Sequence, residues 1–417
     1  MSTPPQPSSL SLPAPASKRK WRMTRRGFLI GAGIAGVGLA IGIPAATPMV
    51  QLQIAESLTT SESSFGSLAA DPFAWFEVLP DSRIRLYLTK VEMGQGIHTA
   101  LAQIAAEDLG IAWADLDVVQ ANTDQGQEDI NGTTGSNSVV SSYTPLRRAA
   151  ATLHTLLRNE AARVLNQPVD KLSIAGRAFV VTGAADQQVD FATLAANHTA
   201  WQELAGEPIL KPQDEFTVIG QSLPRVDIPA KVQGQAIYGY DVRVENLHYG
   251  AIARAPMLGA TLKSSLGGEA FHMDGVKKVV LQSDFAGVVA TSRAKARAAM
   301  SKLQVEWAGG QSLQQAEIEA HVTVGLPSEG IAIQAEGNAG KLLRDSDVTH
   351  RAEYRSPLAI HAPLEAQAGL ADVQPDRVRV WTSTQSQFRL RQYLAQVLGV
   401  KEEIIVSSPP IWAAALA

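Results

Sequence analysis

The chain has 417 residues, with 36 Lys and Arg against 40 Asp and Glu and a formal net charge of −4. That balance leaves no footprint for nucleic acid. Cysteine is absent, which excludes disulfides, thiolate metal sites and iron–sulfur ligands within this chain. The length suits two or three domains.

Residues 1–20 are rich in Ser, Thr and Pro and read as a disordered leader. Lys18, Arg19, Lys20, Arg22, Arg25 and Arg26 form a basic region, and 28–46 then runs uncharged and rich in Gly and Ala. Gly31, Gly33 and Gly36 spell G-x-G-x-x-G, but a dinucleotide turn must follow a strand, and nothing upstream is one. Thr24-Arg25-Arg26-Gly27-Phe28-Leu29 reads instead as a twin-arginine export signal carried by Arg25 and Arg26. A plain membrane anchor is the alternative, although the run is marginal for a spanning helix of about 20 residues. The expectation is a periplasmic protein. No clear A-x-A site follows Pro44, so the signal could stay uncleaved and hold the chain to the inner membrane. Residues 47–71 read as a polar linker.

From Arg83, apolar and polar residues alternate, which predicts a strand over 83–90. After VEMGQG, the residues Ile97, Leu101, Ile104, Ala105 and Leu109 share one helical face. A strand is expected at 117–120 and a loop at NGTTGSNS (131–138). The next helix is expected over 145–166, with Pro145 in its first turn and a stripe of Leu146, Ala150, Leu153, Leu157 and Val164. Pro208, Pro212, Pro224 and Pro229 mark a boundary region. Beyond it strands are expected at 236–242, 248–254, 276–281 and 287–290, then a helix at 293–302 and a strand at 303–307. Residues 308–344 read as a connection. A last segment carries strands at 367–371 and 377–383, a helix at 387–399 and a strand at 404–408. No repeat of 20–50 residues is visible.

The eight histidines form neither H-x-H nor H-E-x-x-H, and no G-x-S-x-G elbow is present, so neither a histidine metal site nor a serine hydrolase is supported. No metal ligand is assigned. TKVEMGQGIHTALAQIAAEDLG is more informative. Gly94 and Gly96 permit a tight turn and close backbone approach. The helix after it would aim free N–H groups at an anion, and Gln95 carries both a donor and an acceptor. From the residues alone this is either a ligand turn or a structural one.

This stretch resembles the G-Q-G segment of the molybdopterin-binding subunit in the xanthine dehydrogenase/aldehyde oxidase family. GQSLPRVDIPAKVQGQAIYGYDV (220–242) resembles the start of that family's a/b hammerhead domain. YRSPLAIHAPLEAQAGLA (354–371) resembles the opening of its next cofactor domain. With the arginine leader, the order is similar to the isoquinoline 1-oxidoreductase large-subunit branch, over roughly residues 22–408. The resemblance implies an α/β (α+β) fold: a split molybdopterin-binding domain with an inserted hammerhead domain. Its parts would be an export segment 1–46, a linker 47–71, a first cofactor segment 72–215, the hammerhead 219–309, a connection 310–344 and the start of a further cofactor domain at 345–417. It implies hydroxylation of an aldehyde or N-heterocycle with water-derived oxygen. It also implies a molybdenum–molybdopterin cofactor, which could be the cytosine dinucleotide form. A small subunit carrying [2Fe-2S] clusters would be its partner, and a membrane cytochrome could be a second. Gly94, Gln95 and Gly96 would contact the cofactor, and Thr134, Gly135 and Ser136 stand where the family has a second cofactor loop; an ordinary turn is the alternative there.

The family pattern continues with a G-G-G-F-G loop and, later, a G-x-G-E glutamate. Here the strand IIVSS runs into PPIWAAALA, and neither motif follows. The expectation is a C-terminally truncated reading frame with little activity by itself. Glu92, Glu107 and Glu365 match no catalytic position, so no catalytic residue is assigned. An inactive fragment and a non-catalytic exported binding or assembly module stand as the alternatives. The substrate is not readable.

Overall fold

Ile84, Leu86 and Leu88 alternate with Arg85 and Tyr87; in the computed structural model the first three are buried and the other two half-buried. The structure describes residues 71–197, 204, 206–322, 337–357, 359, 362 and 364–410. Arg25 and Arg26, the uncharged run, residues 47–70 of the expected linker, His361 and the ending 411–417 lie outside the described residues.

β1 (Phe76–Val78) pairs antiparallel with β2 (Ile84–Leu88), and β2 pairs parallel with β3 (Leu116–Gln120). The parallel pair needs a crossover, which is α1 (Ile97–Leu109), ended by left-handed Gly110. All five residues of the expected α1 stripe are buried. They pack with α2 (Ser138–Leu165), whose Leu146, Ala150, Leu153 and Leu157 fill the same core as Ile84 and Leu86.

α2 begins seven residues before Pro145, not at it. A proline inside a helix forfeits only its own N–H bond and strains one turn, and the stretch SVVSSYT ahead of it still winds helically. Val164, expected on the buried stripe, is exposed. β4 (Leu172–Ala175), β5 (Ala178–Val181) and β6 (Ala184–Asp190) then form an antiparallel meander leading into α3 (Phe191–Asn197). The sequence pattern does not predict these elements, but their Phe179 and Phe191 close the core edge to face at 5.6 Å.

α4 (Ile228–Val232) is one short helix in the proline-rich stretch. The strand expected at 236–242 is instead a tight turn at Gly239–Asp241. Asp241 accepts from the Tyr238 N–H through Oδ2 at 3.1 Å and donates its own N–H to Tyr238 O at 2.9 Å. Such local side-chain bonds compete with a ladder.

Residues 249–311 form a β-rich α/β region. β7 (Tyr249–Arg254), β8 (Leu258–Leu266), α5 (Glu269–His272), β9 (Val276–Leu281), β10 (Phe285–Ala290), α6 (Arg293–Lys302) and β11 (Gln304–Gln311) follow in order. They make one sheet ordered β7-β10-β9 and a β8–β11 ribbon, over a core of Ala270, Ala286, Val288, Ala299 and Leu303. β8 is not expected from the pattern, because its LGATLKSSL stretch buries only Ala260. α7 (Gln315–Val322) follows. The chain divides into two units, residues 65–323 with 351–417, and residues 1–64 with 324–350. In the second unit the described part holds α8 (Ala339–Asp345).

β12 (Gly369–Val373), β13 (Val378–Thr382), α9 (Gln387–Leu398) and β14 (Ile405–Ser408) complete the first unit. β12–β13 is antiparallel and β13–β14 parallel, the same order as β1-β2-α1-β3. In both, a left-handed glycine (Gly110, Gly399) ends the helix and a short 3-10 turn (Trp113–Asp115, Glu402–Ile404) leads into the last strand. No residue pattern announces this topological repeat, because the two copies share spacing rather than residues. They differ at the helix entrance: β2 reaches α1 through residues 89–96, whereas β13 reaches α9 through 383–386. Among the described residues no helix is long and apolar enough to cross a membrane.

Candidate cofactor site

The Gly-Gln-Gly turn stands between β2 and α1, as expected. Gly94 (φ 104°) and Gly96 (φ 80°) both take left-handed conformations that residues with a Cβ adopt only under strain. Gly94 is exposed, and Gln95 and Gly96 are half-buried.

The expectation that the turn's N–H groups are free to face a ligand needs correction. Glu92 Oε1 accepts from the N–H groups of Gly94 at 2.8 Å and Gly96 at 3.0 Å, and its Oε2 accepts from His98 N–H at 3.2 Å. Glu92 is 3% exposed. The positive end of α1 thus already holds an anion, supplied by the chain. The Gln95 amide is committed as well: its Oε1 accepts from Met93 N–H at 2.6 Å and its Nε2 donates to Val91 O at 2.9 Å. Arg225 lies over the turn. Its Nη1 donates to Gly94 O at 3.0 Å, its Nε and Nη2 donate to Asp227 at 2.9 and 2.7 Å, and Nη2 stands 3.5 Å from Glu92 Oε1. Lys231 also donates to Asp227, at 2.5 Å. Burial would raise the Asp227 carboxyl, but Arg225 and Lys231 outweigh it and hold it well below the usual range.

Thr134, Gly135 and Ser136 are exposed at the entrance of α2. Their neighbour Thr133 is buried and joins three loops. Val91 N–H donates to Thr133 Oγ1 at 2.7 Å, and Thr133 N–H donates to Gln385 O at 2.8 Å. Lys90 donates to Gly132 O at 2.8 Å and pairs with Asp129 at 2.7 Å, both partners buried. Gln387 Nε2 donates to Thr89 O at 3.1 Å. The entrances of α1, α2 and α9 are therefore bonded to one another. A side chain at Gly132 would meet Gln385 O at 2.5 Å, which is why a glycine stands at that crossing. His98 donates to Lys90 O through Nε2–H at 2.9 Å, and burial pushes its pKa down.

Sequence reasoning does not reach this frame. Glu92, Arg225 and Asp227 carry no motif signal beyond lying in the two quoted stretches, and Gln385 and Gln387 carry none. Glu107 is not an available carboxylate: 1% exposed, it accepts from Lys211 Nζ at 2.5 Å and from the N–H groups of Thr217, Val218 and Ile219. Burial opposes its ionisation, yet these donors hold it at about 2. Glu365 accepts from Tyr240 N–H at 3.0 Å through Oε1, remote in its bonding from the turn. Among the described residues no group of three His, Asp or Glu is placed to hold a metal.

The family model described as the molybdopterin cofactor-binding domain matches residues 14–243, and a second model of the same description matches 323–411. The chain belongs to the molybdopterin cofactor-binding family of xanthine dehydrogenase type. It is 29% identical to the B component of nicotinate dehydrogenase from Pseudomonas putida, over 78% of this chain and 28% of that protein. It is 28% identical to a membrane-bound aldehyde dehydrogenase (pyrroloquinoline-quinone) of Gluconacetobacter polyoxogenes, over 92% and 50%. It is 27% identical to the beta subunit of isoquinoline 1-oxidoreductase from Brevundimonas diminuta, over 94% and 55%. The chain thus spans about half the length, or less, of these relatives. Among solved structures, quinoline 2-oxidoreductase from Pseudomonas putida 86 aligns over 46% of this chain and 30% of that one, at 19% identity and a TM-score of 0.38. The assignment rests on the family match, not on that superposition.

Proposed function

We propose that this chain is the molybdopterin-binding part of an exported oxidoreductase that hydroxylates an aldehyde or N-heterocycle with water-derived oxygen. The carrying observation is the bonding together of the α1, α2 and α9 entrances, which brings Gly94-Gln95-Gly96 and Thr134-Gly135-Ser136 into one frame held through Lys90, Val91 and Thr133. The exposed Thr134 and Ser136 offer hydroxyls that suit the edge of a pterin, whereas the polar groups of the Gly94-Gln95-Gly96 turn are bonded within the chain and its glycines offer close backbone approach instead. A ligand phosphate does not fit the α1 amides, which Glu92 fills. Bound there, the cofactor would supply the redox and oxygen-transfer chemistry; the chain's residues would bind and orient it.

The β-rich region 249–311, lying between the two matched stretches, supports reading 219–309 as the inserted a/b hammerhead domain. The absence of Cys supports a separate [2Fe-2S] subunit as the electron acceptor, with a membrane cytochrome beyond it. Arg25 and Arg26 support twin-arginine export. The cytosine dinucleotide form is the cofactor variant we favour for this branch.

The test is the pterin and molybdenum content of chain purified from cells that make the cofactor, wild type beside Gly96→Val. Pterin in the wild type and its loss in the variant are expected. Equal content in both would show that the turn takes no part in binding.

A further inference from the structure

We infer that Glu92 is an internal anion that presets the Gly-Gln-Gly turn, acting as a positioning residue for the cofactor rather than touching it. The inference rests on the cofactor reading above but assigns a role to a residue that reading leaves out. Three amides converge on one buried carboxylate: Gly94 and Gly96 on Oε1, and His98 on Oε2. Successive N–H groups around a left-handed glycine make an anion-binding concavity. Here the chain fills its own concavity.

The topological repeat provides an internal control. α9 begins after residues 383–386, Ser-Thr-Gln-Ser, with no glycine and no carboxylate; the N–H of its N-cap Ser386 donates to the uncharged Thr384 Oγ1 at 3.1 Å. A β-α-β crossover of this kind therefore does not require the device. The longer entrance of α1, with its two left-handed glycines, does. Without an anion, three N–H groups would be left around a turn that Gly residues hold only weakly, since glycine loses the most conformational freedom on ordering. Arg225 supplies the counter-charge. It stands 3.5 Å from Glu92 Oε1, ties to Gly94 O, and is itself fixed by Asp227. The turn is thus clamped from inside by Glu92 and from outside by Arg225. A consequence is that the cofactor's phosphate is not received by the α1 amides.

The test is amide hydrogen exchange on the cofactor-free full chain, read at Gly94, Gly96 and His98, with the amides of Leu101 to Leu109 as internal reference. Glu92→Ala removes the equivalent of one acetate from beside the three amides. Exchange there should rise by roughly tenfold or more, as loss of a charge-assisted acceptor implies. Added acetate should restore protection, and acetamide, of equal shape but uncharged, should not. Glu92→Gln should behave as the uncharged case. Inorganic phosphate should leave the wild type unchanged. Unaltered exchange in Glu92→Ala, equal rescue by acetamide, or protection of the wild type by phosphate would each overturn the inference. If all of α1 loses protection in the variant, recovery with acetate alone supports it and no recovery overturns it. Pterin content of the wild type is measured in parallel: its absence would count against the cofactor reading, while the exchange result would still decide the role of Glu92.

Discussion

Thr123 and Ser407 are bonded to each other twice. Thr123 N–H donates to Ser407 O at 3.0 Å, and Ser407 N–H donates to Thr123 Oγ1 at 2.8 Å. Both residues are buried, and they tie the chain just past β3 to β14. The β1-β2-α1-β3 repeat and the β12-β13-α9-β14 repeat are joined at this point, 284 positions apart in sequence.

Thr123→Val keeps the shape and removes the acceptor, leaving a buried Ser407 N–H without a partner. It should destabilise the protein by about 1–3 kcal/mol. Ser407→Ala should be nearly neutral, because the Ser407 Oγ has no partner among the described residues. Denaturant midpoints of the two variants check the contrast. Equal losses would mean that the Ser407 hydroxyl matters at the joint as much as the Thr123 hydroxyl.

Acid should weaken the fold through Glu107. Its folded pKa, about 2, lies below the ordinary value of 4.5, so the ionised form is the one that folding favours. The contribution is full above pH 4.5 and is lost as pH falls towards 2. A shift of this size corresponds to roughly 3 kcal/mol. Asp227, also held low, adds in the same direction. Urea unfolding from about pH 7 to about pH 3 should show a steep loss in the wild type and a shallower one in Glu107→Gln, which is weaker at neutral pH but has nothing left to protonate there. Parallel curves would refute the assignment.

The glycines of the site should not be equivalent. A Cβ at Gly94 meets nothing within 4 Å, so Gly94→Ala bears only the left-handed strain of about 1–2 kcal/mol. At Gly132 the same atom would meet Gln385 O at 2.5 Å and Ser386 Oγ at 2.5 Å. Gly132→Ala should therefore cost more than Gly94→Ala and should loosen the α9 entrance. Thermal melts rank the two, and exchange at the Thr133 amide reports the loosening. A Gly132→Ala protein as stable as Gly94→Ala would show that the crossing can relax.

Export should depend on the arginine pair. Replacing Arg25 and Arg26 together by Lys should retain the protein in the cytoplasm, read by fractionation. Unchanged delivery of the double variant to the periplasm would exclude the twin-arginine route.

The sequence by itself determined the elements whose apolar residues repeat with a clear period. β2 and α1 are legible because a strand alternates and a helix keeps one stripe, and their burial follows directly from that spacing; β10, α6, β13, α9 and β14 are legible as elements, but burial in β10 and α9 does not follow a period. It also determined the position of the glycine turn, since Gly94 and Gly96 mark backbone that other residues avoid. What it left hidden depends on partners distant along the chain. β8 escapes because pairing with β11, not burial of its own side chains, makes it a strand. The start of α2 escapes because a proline reads as a boundary, although packing tolerates it in the interior. The occupant of the α1 amides was undetermined too. Whether a carboxylate three residues from Gln95 points to solvent or folds back onto three N–H groups is not a property of spacing. It is decided when Arg225 closes over the turn and burial leaves Glu92 facing those amides in place of water.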